Sequence, residues 1–410
     1  MDRTISTPKP YICWRDDLFY LAFLFLFLDS MLSVYLYFGD SAVGSANRAS
    51  QLCYLLFLGV CVLSLLLREN YTTMEILSIG GLLILGVLSY LMCDSHVFFD
   101  LTLMISISKN VDFEKFMRRL VITLAVFLFI VICLACLGAL NSVVKTRSDN
   151  DQMRNSLGFG HPNVLGLLVF ELIAGVVVLE RKRLKTVHLW LLLALGLIFY
   201  WISKSQTLLV GVCLLIGAVL VYKWLARKAL TSRQMKIVLS IILLAALAVV
   251  VLVIYHYWRD PDSLSFATLA GRFRQAHRYL NAYGLSAFGK EILTGSDVAI
   301  PGYEAGYSYL DNGEMWYLIR LGIVGCGVFF YSYIRMIVKG INQREFVLCI
   351  IAVVYLFYTL TENSAMRIPF NFMILYAGMM LYNGNALKRE MTLRRRTGGV
   401  QYAVLNKERS

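Results

Sequence analysis

Apolar runs of about 20 residues recur along nearly the whole of this 410-residue chain, and they leave few folds open. A helix needs about 20 apolar residues to cross the hydrocarbon core of a bilayer. On that rule the chain carries expected spans at 18–38, 51–67, 74–92, 96–108, 120–140 and 162–179. The second half adds 187–202, 206–222, 237–257, 312–333, 346–361 and 369–384. The fourth is short and polar, which points to a re-entrant or tilted segment. Only Ser203 to Gln206 separates the seventh from the eighth, so a tight helical hairpin is expected there. Hydrophobic residues make up 59% of the chain and charged ones 16%, against about a quarter charged in soluble domains. Backbone cannot face lipid unpaired. The expected fold is therefore an all-α integral membrane protein of about 12 transmembrane helices, one polytopic domain over 1–410.

The net charge of +13 is read as the cytoplasmic excess of Lys and Arg, not as a nucleic-acid surface. With the N-terminus inside, 27 of the 39 basic residues fall on inner segments and 11 on outer ones. Both termini are then expected in the cytoplasm. The first span is too long for a cleaved signal and is interrupted by Asp29, so it is expected to be retained. The nine cysteines lie in or beside apolar runs and read as packing residues, with no disulfide framework.

Two outer segments carry basic residues against the general bias. The first ends in Arg154 to Asn163. Gly158 and Gly160 allow unusual backbone angles, and Pro162 suits the first turn of the helix that follows. A helix start favours an anion, and Arg154 and His161 stand beside it; a plain helix cap with an interfacial arginine accounts for the segment equally well. The second is the loop 258–311. Phe266, Leu269, Ala270, Phe273, Ala276, Leu280 and Tyr283 recur at helical spacing and make one apolar stripe. Arg274, His277 and Arg278 fall together beside it, and Arg272 flanks the other edge. An amphipathic helix on the outer surface is expected, either anchored by lipid phosphates or clamping a phosphate-bearing lipid substrate with its planar guanidinium forks.

Ionisable residues in or beside spans are costly in lipid and usually face a cavity or a partner. Asp29, Glu171, Arg320 and Glu362 are of this kind. Asp311, Asn312, Glu314, Glu362, Asn363 and Arg367 cluster at the outer ends of the last three spans, where they are expected to converge. No nucleotide-binding phosphate loop, H-E-x-x-H or G-x-S-x-G occurs. No metal or other cofactor is expected.

The stretch Arg154-Asn-Ser-Leu-Gly-Phe-Gly-His-Pro-Asn-Val-Leu-Gly166 resembles the signature of Wzy-type polysaccharide polymerases, of the O-antigen ligase/polymerase superfamily. Ser203 to Thr207 occupies the place of a family Ser-Arg-Thr run, with Gln206 in place of the arginine. Gly271 to Phe273 with Phe288-Gly289, and Leu310 to Asn312, fit the same pattern. The resemblance implies a bacterial cytoplasmic (inner) membrane enzyme with its active site on the outer face. Such enzymes transfer a growing glycan from polyprenyl pyrophosphate to a hydroxyl of the next lipid-linked repeat unit. In that reading Arg154, Arg272, Arg274 and Arg278 hold the pyrophosphates. His277 or His161 is the base, with Asp311 or Glu362 as fallback, and Asn163 and Asn312 contact the rest of the substrate. Partners would be membrane lipid, the lipid-linked oligosaccharide, and a chain-length regulator and flippase of the same pathway. The rival readings are a ligase of the same superfamily and a lipid-linked oligosaccharide flippase; a flippase should keep its polar groups at the midplane and its loops short.

Overall fold

In the computed structural model, residues 13–67, 71–142, 144–146, 153–227, 232–259 and 267–382 are described. Within them, every stretch read above as a crossing is helical over at least part of its length. Helix α1 (Cys13–Ser30) runs on through a π-type turn, Met31–Tyr35. It is followed by α2 (Asp40–Leu66), α3 (Thr73–Cys93), the short α4 (Val97–Ser106) and α5 (Phe113–Cys136). A hairpin of β1 (Val144–Thr146) and β2 (Met153–Asn155) sets Lys145 opposite Arg154. Then come α6 (Pro162–Glu180), α7 (Thr186–Ser203), α8 (Gln206–Arg227) and α9 (Ser232–Arg259).

The long loop carries α10 (Ala267–Tyr283) and a second small hairpin of β3 (Gly295–Val298) and β4 (Gly306–Ser308). A single turn, α11 (Gly313–Trp316), leads through a π-type turn, Tyr317–Leu321, into α12 (Gly322–Gln343). Helices α13 (Phe346–Thr359) and α14 (Phe372–Tyr382) complete the bundle. Phe266, at the head of the expected stripe, and the basic C-terminal tail lie outside the described residues.

Among the described residues, eight helices are long and apolar enough to cross a membrane, so this is a multi-pass, all-α membrane protein. Burial sorts the helices into inner and outer ones. Helix α6 is buried on every side, from Pro162 to Val178. Helix α7 buries only Leu189, Gly196 and Ser203, a stripe at seven-residue spacing. Its Leu191 and Trp201 are exposed, as are Leu55 and Leu66 on α2. Such an apolar belt is tolerable only in lipid. Small residues bring the helices close: a Cβ on Gly166 of α6 would stand 2.9 Å from Ser205 Oγ.

Three of the expected spans are shorter than a bilayer. The ten residues of α4 cover roughly 15 Å at 1.5 Å per residue, in keeping with the re-entrant expectation. Helices α13 and α14 have 14 and 11 residues, where full crossings were expected. Both are almost wholly buried, so their ends meet protein instead of lipid. There the backbone can leave the helix, because side chains satisfy it. Two 3-10 turns fill the connection, Asn363–Met366 and Ile368–Phe370. Asn363 Nδ2 donates to Leu310 O at 2.7 Å, Asn371 Nδ2 to Ala365 O at 2.9 Å, and Tyr317 OH to Met366 O at 2.6 Å.

Candidate functional site: a cationic cavity with an apolar floor

The Arg154 segment is held by backbone before any side chain acts. Gly160 N donates to Tyr35 O at 2.9 Å, and Tyr37 N to Gly158 O at 3.0 Å, which ties the segment to the end of α1. Leu157 and Gly158 turn the chain with φ of +45° and +90°, as the glycine-rich spacing predicts. Pro162 opens α6 at its first turn. His161 Nδ1 accepts the Asn163 N–H at 3.1 Å, so this nitrogen caps the helix. That is a correction to His161 as catalytic base: its Nδ1 lone pair is committed to the backbone.

Asn163 is the hub. Its Oδ1 accepts from Arg154 Nη2 at 2.7 Å and from Ser205 Oγ at 3.2 Å. Its Nδ2 donates to Glu362 Oε2 at 3.1 Å. Arg154 Nε also donates to Ser203 O at 3.3 Å. The turn between α7 and α8 is as tight as expected: Lys204 alone takes a left-handed φ of +49°. This projects the Lys204 ammonium over Trp201, 5.2 Å from the ring centre.

Arg272, on α10, donates from Nη1 to Thr361 O. No other hydrogen bond and no carboxylate within 4 Å is found for its guanidinium among the described residues. Burial and the neighbouring Asp311 push the Glu362 carboxyl up to about 7, while Arg272 and Asn163 pull it down. Burial also raises Asp311, again opposed by Arg272. Both carboxyls sit in connections outside the long helices, Asp311 before α11 and Glu362 after α13.

These groups surround a cavity of about 330 Å³. Arg154, Lys204 and Arg272 form its rim, and no carboxylate among the described residues lines it. Its deeper walls are apolar, from Val210 and Leu214 on α8 and Val354 and Phe357 on α13. Gly211 belongs to the floor, where a Cβ would come within 2.8 Å of the Tyr358 ring. Leu214, Val354 and Phe357 also wall a second cavity of about 260 Å³, lined by Tyr222, Val238, Ile337 and other apolar residues. The two cavities therefore share a wall. Three cations above an apolar shaft can hold a polyanion at the rim and a hydrocarbon chain below.

The cavity gathers Arg154, Asn163 and Arg272, with Glu362 one hydrogen bond behind. Other expected site residues lie elsewhere. Arg274 is exposed on α10, and His277 is half-buried; neither lines the cavity. Arg278 lies over Tyr303, 5.7 Å from its ring centre, beside a separate cavity under the β3–β4 hairpin. The expected four-arginine clamp is corrected on this point, because α10 buries Phe273, Ala276, Tyr279 and Leu280 and so turns Arg272 and Arg278 different ways. Asn312 is also corrected. It is fully buried; Oδ1 caps α11 by accepting Met315 N–H at 2.8 Å, and Nδ2 donates to Leu360 O at 2.9 Å. Glu314 accepts from Thr359 Oγ1 and does not pair with Arg320. Lys204 was not among the expected phosphate ligands. Its signal was a lone lysine in a two-residue turn, on the face where basic residues are scarce.

No family model, no curated protein and no solved structure matches the chain.

Proposed function

We propose that the protein is a metal-independent polysaccharide polymerase of the outer face of a bacterial cytoplasmic membrane. It would transfer a growing glycan from polyprenyl diphosphate to a hydroxyl of a lipid-linked repeat unit. The observation that carries this reading is that the cationic rim lies beside an apolar cavity with which it shares Leu214, Val354 and Phe357. From Gln206 at the rim to Leu225 at the far wall, α8 runs through 19 residues, roughly 28 Å of helix. That is close to the ~30 Å thickness of a bilayer's hydrocarbon core. The bias of basic residues supports an outer position for the rim, where no nucleotide is at hand. The diphosphate bond itself then supplies the driving force.

The chemistry follows from the rim. The acceptor hydroxyl oxygen attacks the anomeric carbon of the donor glycan, and the bond from that carbon to the diphosphate oxygen breaks. The electron pair leaves with the diphosphate, whose growing charge Arg154, Lys204 and Arg272 offset. The hydroxyl proton passes to Glu362, whose raised carboxyl is suited to a base near neutral pH. Asn163 positions both Arg154 and Glu362 through its two amide ends.

The test is purified protein with a lipid-diphosphate-linked repeat unit and no nucleotide. A ladder of lengthening chains is expected, and Arg272→Ala should slow it by about 10²–10³-fold. Movement of the lipid across a liposome bilayer with no ladder would overturn the reading.

A further inference from the structure

We propose that a second cavity at the same end of the bundle binds a neutral saccharide ring; on the transferase reading above, this is the glycan of the acceptor unit. The cavity, of about 250 Å³, lies between α1, the head of α4 and the turn that follows Trp316. Arg367 lines it, five residues along from Glu362, so the 360–371 connection stands between the two cavities.

Its walls carry both signs of charge. Asp29 accepts from Ser50 Oγ at 2.5 Å. Asp100 accepts from Tyr54 OH at 3.1 Å and pairs with His96 Nδ1 at 2.5 Å. Asp94 ends α3 in a left-handed turn beside them. Across the cavity, Arg320 and Arg367 both lie over the Trp316 ring, 5.4 and 5.7 Å from its centre. Among the described residues, neither arginine has a carboxylate within 4 Å. Arg320 Nη2 reaches the Cys93 and Asp94 carbonyls only at 3.4 Å, and its Nε is buried without a partner.

Opposite charges this near one another collapse into ion pairs unless something holds them apart. Two guanidiniums alone would call for an anion, but three aspartates facing them oppose one. Donors and acceptors in balance suit a ligand whose every polar group does both, and the hydroxyl is that group. A ring bearing several hydroxyls is a sugar. The contrast with the first cavity is direct, because among the described residues that rim has three cations and no carboxylate. The volume lies near the lower end of small-molecule sites, ~300 Å³, which suits one ring and not a chain.

The probe is a set of methyl glycosides of glucose, galactose and N-acetylglucosamine, with that of galacturonic acid as the anionic control. Saturation-transfer NMR on the full chain in a sugar-free amphipol reads contact directly, without any transfer reaction. At least one neutral glycoside should bind. Arg367→Gln and Asp29→Asn should each weaken that binding by about tenfold or more, the loss for one charged hydrogen bond. Asp29→Asn is isosteric and Arg367→Gln keeps a shorter polar side chain, and a thermal melt checks that each is folded. Arg272→Ala, in the other cavity, should leave it unchanged. Binding of none, binding of the uronide alone, or binding indifferent to both variants overturns the proposal. So does loss of binding in Arg272→Ala. A protein that binds the neutral glycoside yet makes no polymer keeps this site and overturns the transferase reading instead.

Discussion

At the scale of single residues, Asn163 divides positioning from chemistry. One amide end fixes a guanidinium and the other a carboxyl, so an aspartate there would turn a donor into a second acceptor facing Glu362. The carboxyl it faces sets a pH dependence. Glu362 is raised to about 7 by burial and by Asp311, with Arg272 opposing. Below that value it is protonated and cannot accept the hydroxyl proton. Turnover should therefore rise with pH through about 7 and level off above it. Glu362→Gln should lower the plateau by about 10²–10⁴-fold and remove the inflection. His277→Gln must keep the inflection; if it removes it, the base is the histidine. Arg154, Asn163 and Glu362 were visible in the sequence because polar groups on an apolar background are costly and stand out. Which histidine or arginine faces inward was not visible, because it depends on how α10 packs. Stripe residues Phe273, Ala276 and Leu280 are buried as their spacing predicts, and Tyr279 beside them is buried too. That one extra aromatic widens the buried face and separates Arg272 from Arg278.

At the scale of elements, the loop is docked onto the bundle by a contact between two glycines. Ile323 N donates to Ser286 O and Val324 N to Ala287 O, both at 3.0 Å, and Lys290 N to Arg320 O at 3.1 Å. Gly289 and Gly322 meet here with φ of +86° and +79°. A Cβ on Gly289 would overlap the Arg320 carbonyl oxygen, and one on Gly322 would lie 2.6 Å from Ala287 O. This junction also carries Arg320 into the second cavity. Gly289→Ala and Gly322→Ala should each destabilise the protein by well over the ~1–2 kcal/mol that a left-handed residue costs alone. Gly302→Ala is the control: its φ is +80°, but nothing lies within 4 Å of the added carbon, so only the backbone cost applies. Thermal melts of the three variants in detergent check this, and equal losses in all three would remove the docking contact from the account. The twelve apolar runs were legible as helices because composition alone marks them. The shortness of α13 and α14 was not, since an apolar stretch reads the same whether lipid or protein surrounds it.

At the scale of the whole molecule, the arrangement of inner and outer helices decides where a lipid tail can lie. Helix α6 is enclosed on every side, so any long groove must run along its neighbours. The two adjoining cavities follow α8 and α13, with Val238 and Ile242 of α9 and Ile337 and Ile341 of α12 closing the far end. Leu214, Val354 and Phe357 form the wall the two share, the waist a tail would have to pass. A donor with its tail cut to two isoprene units would fill the rim and stop near this waist. Each buried CH₂ contributes about 0.8 kcal/mol, so the short donor should show KM raised at least about tenfold with kcat kept, the mark of lost uniform binding. Leu214→Trp should close the waist. It should then weaken the full-length donor to the level of the short one while leaving the short donor unaffected. Steady-state kinetics with the two donors and the two proteins make a four-way comparison. If Leu214→Trp weakens both donors equally, the tail does not pass the waist and lies instead on the lipid-facing surface of the bundle.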